Sequence, residues 1–495
     1  MPSTGSGSGI SNLNLLPDLL PAFLGRQRWF GGKGRTIARC EIEDVAELPA
    51  AIPRTAVVIT NVSYADGQLE RYNLVISQGQ DALSRSGAGR LEIGGHGIVE
   101  AGTDPAAVRA LLRGFAHGET IATRRGGCLR YADVGNLAAS VLVQADVPVT
   151  ALRGEQSNTS LRLGADLVLK LFRRLQPGEN PELEVGRFLT SRTTFRAMSA
   201  LEGSLTYEPP TGSPATLGVL QAWIENDGDG WAYFLSALHS YRHTGSVPAD
   251  LPAAIARLGA ITSELHAALE SDASLEAFRP EAVSATDVEH WSALLRARLA
   301  RSADLVHSHV AAWSDETRRL GQSLLANGRF TGAVDVVSPS RATFRKIRIH
   351  GDYHLGQTLK TSSAFAVIDF EGEPLTPIAH RRQKFCALKD VAGMLRSFDY
   401  AIETGFASSP TERDAPGVAD SLPAEVAPRR WFLDGYLESA TALRTTAVPE
   451  DRTETEHWLS FFELDKALYE LEYEIHNRPE WVHIPLRGIL RLLGT

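Results

Sequence analysis

Cysteine is scarce in this sequence, because its 495 residues include only Cys40, Cys128 and Cys386, whose spacing matches no metal-binding motif. Such a composition excludes a disulfide framework and favours a reducing compartment. Long apolar runs are also missing, since no stretch approaches the roughly 20 residues that cross a bilayer. Residues 1–9 lack the charged and apolar regions of a secretion signal. We therefore expect a cytoplasmic protein without a membrane segment.

An excess of positive charge is absent as well. Lys and Arg number 50 against 59 Asp and Glu, which gives a formal net charge of −9 and a pI near 5.9. A nucleic-acid partner is therefore not expected, because it favours a basic face. An anionic small ligand remains compatible with this balance, since a few local cations and a metal are sufficient to hold it. The length predicts two or three domains.

The most informative motif is a polar loop followed by a short apolar strand. Residues 350–357 read His-Gly-Asp-Tyr-His-Leu-Gly-Gln, and residues 366–371 read Ala-Val-Ile-Asp-Phe-Glu. A phosphoryl-transfer site needs one carboxylate to orient and deprotonate a hydroxyl, and further oxygen ligands to hold Mg²⁺. Asp352 is the candidate base, and Gln357 and Asp369 are the candidate metal ligands. A polar loop without chemistry is the alternative, and the spacing of the whole ensemble argues against it.

A lysine inside an apolar strand is the second signal. Lys170 lies within the strand predicted at 167–172, where a charge is costly unless it snorkels on an edge strand or meets an anion. In a nucleotide kinase that anion is the α- and β-phosphates. A carboxylate at the start of the next helix would position the lysine. Glu184 is our choice, and Glu182 stays open as an alternative.

Several segments are expected to form the scaffold. Strands are predicted at 56–64 and 69–76, joined by a hairpin turn with an Asp-Gly pair. The basic, Gly-rich loop at 26–35 resembles a phosphate cradle but lacks the terminal Lys-Ser/Thr pair of a P-loop, so a structural or docking role is favoured. A further strand is predicted at 139–144 and a long loop at 408–428.

Two histidines and one aspartate are expected to support the structure rather than the chemistry. His350 would brace the polar loop through hydrogen bonds. His266 lies on the helix predicted at 253–270 and is read as a packing residue. Asp390 begins a helix, where either a buried acid bracing the loop or an ordinary helix cap explains it.

A long amphipathic helix is predicted at 461–475. Leu464, Leu468, Leu471 and Ile475 form its buried stripe, and tyrosines and acids occupy its other faces. Aromatic rings beside carboxylates are typical of a sugar pocket, and a solvated acidic face is the alternative.

The chain resembles the maltokinase family, within the aminoglycoside-phosphotransferase-like branch of eukaryotic-type kinases. The similar segments are 27–35, 350–357, 368–374, 390–400 and 461–488. The catalytic-loop motif is shared by many small-molecule kinases, whereas the first and last segments are more specific to maltokinases, including those fused behind trehalose synthase.

The resemblance implies an α+β, bilobal kinase fold. An N-terminal cap subdomain would span residues 1–140. A mixed β N-lobe would span 141–225, and a mostly helical C-lobe with the catalytic loop and acceptor site would span 226–495.

The reaction implied is transfer of the γ-phosphate of ATP to the anomeric hydroxyl of maltose, with Mg²⁺, to give maltose 1-phosphate for α-glucan synthesis. Asp352 becomes the base, Gln357 and Asp369 the Mg²⁺ ligands, and Lys170, supported by Glu184, the phosphate lysine. Further candidate nucleotide contacts are Ser157, Asn158, Gln221 and Trp223. Candidate sugar contacts are His354, Glu371, Tyr469 and Tyr473.

Two other functions stay open at this point. The acceptor could be another small molecule, such as glucosamine or an aminoglycoside. The chain could also be a non-catalytic scaffold that docks trehalose synthase, and the intact set of Lys170, Asp352, Gln357 and Asp369 argues against this.

Overall fold

The structure, a computed structural model, describes residues 10, 13–52, 54–78, 90–93, 96–133, 147–152, 157–327, 330, 342–374, 376–406 and 426–494. These residues divide into two compact units. Unit 1 comprises the described residues of Met1–Arg192, Ser199–Ile224 and Pro374–Arg381. Unit 2 comprises those of Thr193–Met198, Glu225–Glu373 and Arg382–Thr495. The division of the chain at 140 and 225 stays a prediction.

Unit 1 contains an antiparallel sheet with the strand order β1-β2-β3-β5-β4, in which β11 also pairs with β3. Its strands are β1 (Ile37–Glu47), β2 (Arg54–Tyr64), β3 (Leu69–Gln78), β4 (Arg90–Ile93), β5 (His96–Glu100) and β11 (Arg174–Leu175). The predicted hairpin joins β2 and β3, and Gly67 supplies the positive φ of +82° that its turn requires. Strand β2 is buried along most of its length, because both faces of the sheet are covered.

Helix α1 (Leu16–Leu24) packs its apolar residues against one face of this sheet. Helix α2 (Pro105–His117) packs on the core of the other face, which is shared with the second sheet of the unit. Asp104 caps α2 by accepting the backbone N–H groups of Ala106 and Ala107, as an aspartate before a Pro-initiated helix is expected to do. The two apolar layers therefore fix the first sheet from both sides.

The Gly-rich loop at 26–35 is docked onto the first sheet. Arg35 contacts the carboxylates of Asp66 and Glu70 and lies 3.6 Å above the ring of Tyr64. A Cβ on Gly32 would lie 2.1 Å from the Tyr64 hydroxyl, so the loop approaches the sheet too closely for a side chain there. These contacts favour the docking role for the loop over a phosphate cradle.

The second sheet of unit 1 has the order β6-β7-β12-β13-β10-β9-β8. Its strands are β6 (Thr120–Ala122), β7 (Cys128–Asp133), β8 (Val149–Ala151), β9 (Asn158–Leu163), β10 (Leu167–Phe172), β12 (Leu201–Glu208) and β13 (Ala215–Ala222). Strand β10 is paired on both sides, by β9 and β13. Helix α3 (Pro181–Arg192) follows in the chain and contacts β12 and β13. The short helix α8 (Ile378–Arg381) also belongs to unit 1.

Unit 2 is mostly helical. Its longer helices are α4 (Gly230–Thr244), α5 (Leu251–Leu269), α6 (Ala285–His309), α7 (Asp315–Ala326), α9 (Leu388–Phe406), α10 (Pro428–Leu443), α11 (Arg452–Asn477) and α12 (His483–Leu492). Gly259 and Gly435 let α5 and α10 cross closely, because a Cβ at either position would lie 2.0 Å from a carbonyl oxygen of the other helix. The predicted stripe of α11 is buried at all four of its positions.

Two short antiparallel pairs complete unit 2. Strand β14 (Glu281–Ala282) pairs with β15 (Arg345–Lys346), and β16 (Thr358–Lys360) pairs with β17 (Phe365–Val367). The second pair follows the polar loop of the sequence motif and precedes Asp369. The β16–β17 hairpin therefore brings the polar loop and the segment that bears Asp369 together at one of its ends.

Three sequence expectations concern residues that the structure does not describe: the N-terminal tail at 1–9, the strand at 139–144, and residues 408–425 of the long loop. Among the helices of the described residues, none has the length and apolar character needed to cross a membrane.

Candidate active site

The polar loop at 350–354 is held by a buried carboxylate from α9. Asp390 accepts the backbone N–H groups of His350 and Gly351 at 2.7 and 2.9 Å. It also contacts His266 Nε2 at 3.2 Å, and His266 Nδ1 contacts the Tyr436 hydroxyl at 2.9 Å. Burial raises the pKa of Asp390, but the hydrogen bond and charge of His266 outweigh it and lower the pKa. Asp390 thus braces the loop, and His266 supports Asp390.

His350 ties the loop to the segment that bears Asp369. Its Nδ1 accepts the backbone N–H of Asp352 at 3.4 Å, so Nε2 carries the proton and donates to the carbonyl of Ile368 at 2.9 Å. The ring is buried between Tyr353 and Phe370, with ring centroids 5.2 Å away on each side. His350 therefore fixes the spacing between the two halves of the motif.

Gln357 and Asp369 are in direct contact. The β16–β17 hairpin pairs Thr358 with Val367, which brings the residues flanking it together. The side-chain amide of Gln357 donates to Asp369 Oδ2 at 3.0 Å. A half-turn of this amide would direct its oxygen, instead of its nitrogen, toward the same space.

The backbone of Asp369 is left-handed, with φ of +66°. Only a few per cent of residues other than glycine adopt this conformation, although aspartate tolerates it better than most. Such a conformation costs of order 1 kcal/mol and persists where the surrounding structure imposes it. Here the hydrogen bonds of the preceding residue, Ile368, to His350 and to the Gln357 backbone impose the turn.

Asp352 lies beside a lysine from α11. Lys466 Nζ is 3.4 Å from Asp352 Oδ1, and both side chains are about one quarter exposed. Burial alone would raise the pKa of Asp352, but the Lys466 ammonium, followed by His354 and His350, outweighs burial and lowers the pKa. The negative charge of Asp369 acts in the opposite direction, which shows that the two aspartates share one electrostatic environment. Asp352 is therefore ionised at neutral pH.

His354 is neutral at pH 7, because burial lowers its pKa despite the opposing charge of Asp352. Its Nδ1 accepts the backbone N–H of Gly356 at 3.1 Å. The proton is consequently on Nε2, which makes this ring a hydrogen-bond donor close to Asp352.

Lys170 is buried in the interior of the second sheet of unit 1, with 4% of its side chain exposed. Because β10 has a partner on both sides, the edge-strand explanation for this lysine is wrong. Its Nζ lies 4.0 Å from Glu182 Oε2 at the start of α3, and Glu182 Oε1 accepts the side-chain amide of Gln221 at 2.8 Å. Glu182, the alternative that the sequence left open, therefore lies near Lys170, and Glu184, our sequence-based choice, stays a prediction.

The other candidate nucleotide contacts are distributed over unit 1. Ser157 is exposed, and Asn158 begins β9 opposite Phe172. Trp223 follows β13 and lies 4.1 Å below the guanidinium of Arg162. Gln221 reaches Glu182, as described above, and so belongs to the surroundings of Lys170.

The candidate sugar contacts divide into two groups. Tyr469 lies 5.0 Å from Lys466 Nζ, and burial, Glu373 and Asp352 raise its pKa, so it is close to the catalytic loop. Glu371 is buried two residues after Asp369. Tyr473 is 43% exposed and lies beside Arg478, and no contact described in this structure links it to Asp352.

Sequence reasoning missed Lys466. The residue is separated from Asp352 by 114 positions, and its helix was examined only for its apolar stripe, its aromatic rings and its acids. A signal was nevertheless present, because Lys466 precedes Tyr469 by three residues and therefore shares a helix face with it.

Among the residues that the structure describes, no three His, Cys, Asp or Glu side chains are grouped to hold an ion. Mg²⁺ in phosphoryl-transfer sites uses only one or two protein carboxylates and takes its other ligands from phosphates and water. The oxygen donors of Gln357 and Asp369 fit that requirement.

Two family models match the chain. The maltokinase N-terminal cap domain matches residues 23–104, and the phosphotransferase enzyme family matches residues 148–379. The chain is 27% identical over 354 residues to a glucosamine kinase of Streptacidiphilus jiangxiensis, covering 70% of this chain and 74% of that protein. It is 26% identical to a glucosamine kinase of Mycolicibacterium smegmatis, covering 72% and 81%.

A solved structure described as glucosamine kinase in complex with glucosamine, ADP and inorganic phosphate has the same fold. Its TM-score is 0.63 at 21% identity, with 96% of this chain and 97% of that chain covered. The fold and the matched family define the chain as a phosphotransferase of the aminoglycoside-phosphotransferase type, as the resemblance implied. Its N-terminal region matches the maltokinase N-terminal cap domain over residues 23–104, and its relatives are similar to maltokinases in this respect.

Proposed function

We propose that this enzyme is an ATP-dependent sugar kinase that transfers the γ-phosphate to the anomeric hydroxyl of maltose and forms maltose 1-phosphate. The observation that carries the proposal is the cluster in unit 2, where Asp352 is ionised beside Lys466 and Gln357 contacts Asp369. The two relatives named above are glucosamine kinases, which supports a sugar as the acceptor class. Magnesium and ATP follow from the chemistry of the family and stay predictions.

Asp352 acts as the base in this proposal. Its carboxylate accepts a hydrogen bond from the acceptor hydroxyl and orients the oxygen for in-line attack on the γ-phosphorus. As the new O–P bond forms, the bond to the bridging oxygen of ADP breaks and ADP leaves with the electron pair. The hydroxyl proton passes to Asp352, whose lowered pKa keeps it ionised before the reaction.

Gln357 and Asp369 would hold Mg²⁺ through their side-chain oxygens. When bound, the ion would neutralise charge on the phosphate oxygens of the nucleotide. His350 and the β16–β17 hairpin keep the two side chains together, which reduces the reorganisation that binding requires.

Lys170 is the proposed cation for the nucleotide phosphates. Its ammonium is buried 4.0 Å from the carboxylate of Glu182, which restricts its position. Gln221 fixes Glu182 in turn. This arrangement supports the role that the sequence assigned to Lys170, with Glu184 or Glu182 as the carboxylate that positions it.

The second candidate acceptor is glucosamine. Two curated relatives and a solved structure of the same fold carry that name. The identities of 26–27% leave room for a different acceptor, and the cap domain at 23–104 is described as that of maltokinases.

An acceptor screen with ATP and Mg²⁺ tests the proposal. ATP consumption and product identity are measured for maltose, glucose, glucosamine and an aminoglycoside. We expect maltose to give the highest kcat/KM and a product phosphorylated at the anomeric position. A far higher kcat/KM for glucosamine would refute maltose as the acceptor and leave the phosphoryl-transfer chemistry intact.

Nucleotide binding separates the enzyme from a scaffold. Calorimetry should detect ATP binding that depends on Mg²⁺. A chain that binds no ATP in the presence of Mg²⁺ and phosphorylates no acceptor would instead be a non-catalytic scaffold.

A further inference from the structure

Lys466 places a positive charge beside Asp352, the proposed base. Its Nζ lies 3.4 Å from Asp352 Oδ1. The side chains of Lys466 and Asp352 are 22% and 25% exposed, so the pair is accessible from solvent on one side. A sugar that presents a hydroxyl to Asp352 therefore lies within a few ångströms of the ammonium.

The side chain of Lys466 keeps its proton and therefore its positive charge. Burial would lower its pKa, but the carboxylates of Asp352, Glu373 and Glu470 outweigh burial and raise it. The ammonium also lies 5.0 Å from the centroid of the Tyr469 ring, a favourable cation–π distance. Lys466 is consequently protonated throughout the pH range in which a kinase is assayed.

The carboxylates around Lys466 have cationic partners supplied by the chain. Glu470 accepts both Nε and Nη2 of Arg396, at 2.9 and 2.7 Å. Asp352 has Lys466 itself. The cations that stabilise the carboxylates of Asp352 and Glu470 are therefore side chains of the protein itself.

We propose that Lys466 is a specificity-determining residue that selects uncharged sugars, because its ammonium lies beside the carboxylate of Asp352 and repels a second positive charge there. The inference rests on the proposed function as a sugar kinase and concerns the charge of the acceptor at the same site. A protonated amine on the acceptor would face a like charge instead of a carboxylate. At a separation of about 5 Å, this repulsion corresponds to roughly a ten- to hundred-fold loss in kcat/KM.

The test compares glucosamine with glucose, two acceptors that differ in the charged amine. The quantity measured is the ratio of their kcat/KM values at pH 6.5, in the wild type and in three variants. Lys466→Met removes the charge at similar length. Lys466→Arg keeps the charge. Lys346→Met removes a lysine of similar exposure (19%) that lies 2.8 Å from Asp287, outside the site.

We expect the ratio of glucosamine to glucose to rise about ten- to a hundred-fold in Lys466→Met, because the amine of glucosamine can replace the lost ammonium beside Asp352. In Lys466→Arg and Lys346→Met the ratio should stay within about three-fold of the wild type. An unchanged ratio in Lys466→Met, an equal rise in Lys346→Met, or a wild type that prefers glucosamine to glucose would overturn the inference.

If Lys466→Met loses turnover, a binding measurement replaces the comparison of kcat/KM values. Calorimetry then compares glucosamine binding to this variant and to the wild type, after circular dichroism has shown that both are folded. Tighter glucosamine binding by the variant supports the inference, and equal or weaker binding overturns it. The outcome for maltose is separate, because the glucosamine-to-glucose ratio is independent of whether maltose is the natural acceptor.

Discussion

Asp352 is ionised because a residue from a distant helix compensates for its burial. Lys466 reaches it from α11, 114 positions later in the chain, and the neighbouring His350 and His354 act in the same direction. A carboxylate with a lowered pKa is a weak base, so its main contribution is to orient the hydroxyl and to accept the proton late in the reaction. The chemistry of this residue is therefore set by its neighbours.

Replacing Asp352 by Asn should reduce kcat by about 10³-fold or more, because the amide can accept a hydrogen bond but cannot take the proton. Nucleotide affinity should change little, since the proposed phosphate and metal contacts are on other residues. The measurement is steady-state turnover with maltose together with calorimetric ATP binding. Asp315→Asn, at an exposed position on α7, is the matched control and should retain full activity. Turnover at the wild-type level in Asp352→Asn would rule out Asp352 as the base.

The sequence was sufficient to propose Asp352, Gln357 and Asp369, because their spacing is local, and a hairpin brings Gln357 and Asp369 into contact. It was not sufficient to choose between Glu182 and Glu184, since that choice depends on the phase of their helix against β10. Lys466 was missed for another reason. Its three-residue spacing from Tyr469 places both residues on one helix face, but nothing in the sequence connects that face to Asp352, 114 positions earlier.

Helix α9 contacts the catalytic loop through a residue without a side chain. A Cβ on Gly393 would lie 2.6 Å from the backbone oxygen of Tyr353, the neighbour of Asp352. One turn earlier, Asp390 holds the same loop through two backbone N–H groups. Close approach and hydrogen bonding thus act together on this face of the helix.

Gly393→Ala should lower kcat at least ten-fold, because the added methyl group displaces the loop by a fraction of an ångström or more. The gain of about 1 kcal/mol in helix propensity offsets part of the strain in the free energy of unfolding, but it does not restore the loop position. Gly405→Ala is the control on the same helix, where the nearest atoms are leucine side chains at 3.1 Å that can move. A ten-fold loss in Gly405→Ala as well would indicate a general effect on α9.

Elements were predicted best where composition and periodicity agreed. The β2–β3 hairpin, β10 and the stripe of α11 were found because alternation, an Asp-Gly turn or a helical repeat marked them. The loop at 26–35 was harder, because its glycines and basic residues are equally compatible with phosphate binding. Its docking depends on Tyr64 and Glu70, which the sequence does not connect to it.

Across unit 2 as a whole, helices from distant parts of the chain are joined by buried charges. Asp399 on α9 contacts Arg396 of the same helix at 3.0 Å, Arg429 of α10 at 3.1 Å and Arg491 of α12 at 2.6 Å. Burial would raise the pKa of Asp399, but the three guanidinium groups outweigh it and lower the pKa to about 2. One carboxylate therefore connects three helices.

Asp399→Asn should lower the free energy of unfolding by about 2 to 3 kcal/mol at pH 7, because the buried Arg396 and the partly exposed Arg429 and Arg491 lose their shared negative charge. Chemical denaturation measures this difference. Asp315→Asn, whose ion pair with Arg318 is exposed, should change it by less than about 0.5 kcal/mol.

The pH dependence of the free energy of unfolding tests whether the charge of Asp399 causes this difference. The pKa of Asp399 is lower in the folded than in the unfolded chain, so its stabilisation is complete above pH 4 and is lost as the pH falls toward 2. The difference between the wild type and Asp399→Asn should accordingly shrink over this range. A difference that is independent of pH would show that packing, and not charge, accounts for the effect.

The separation of Asp352 from Lys466 also has a consequence during protein synthesis. At roughly 5 to 20 residues per second, the ribosome needs about 6 to 23 s to extend the chain from the loop to the helix that carries the lysine. During this interval a nascent chain holds the loop without its counter-charge. Catalytic competence therefore arises only after α11 has been synthesised and has folded onto residues made well before it.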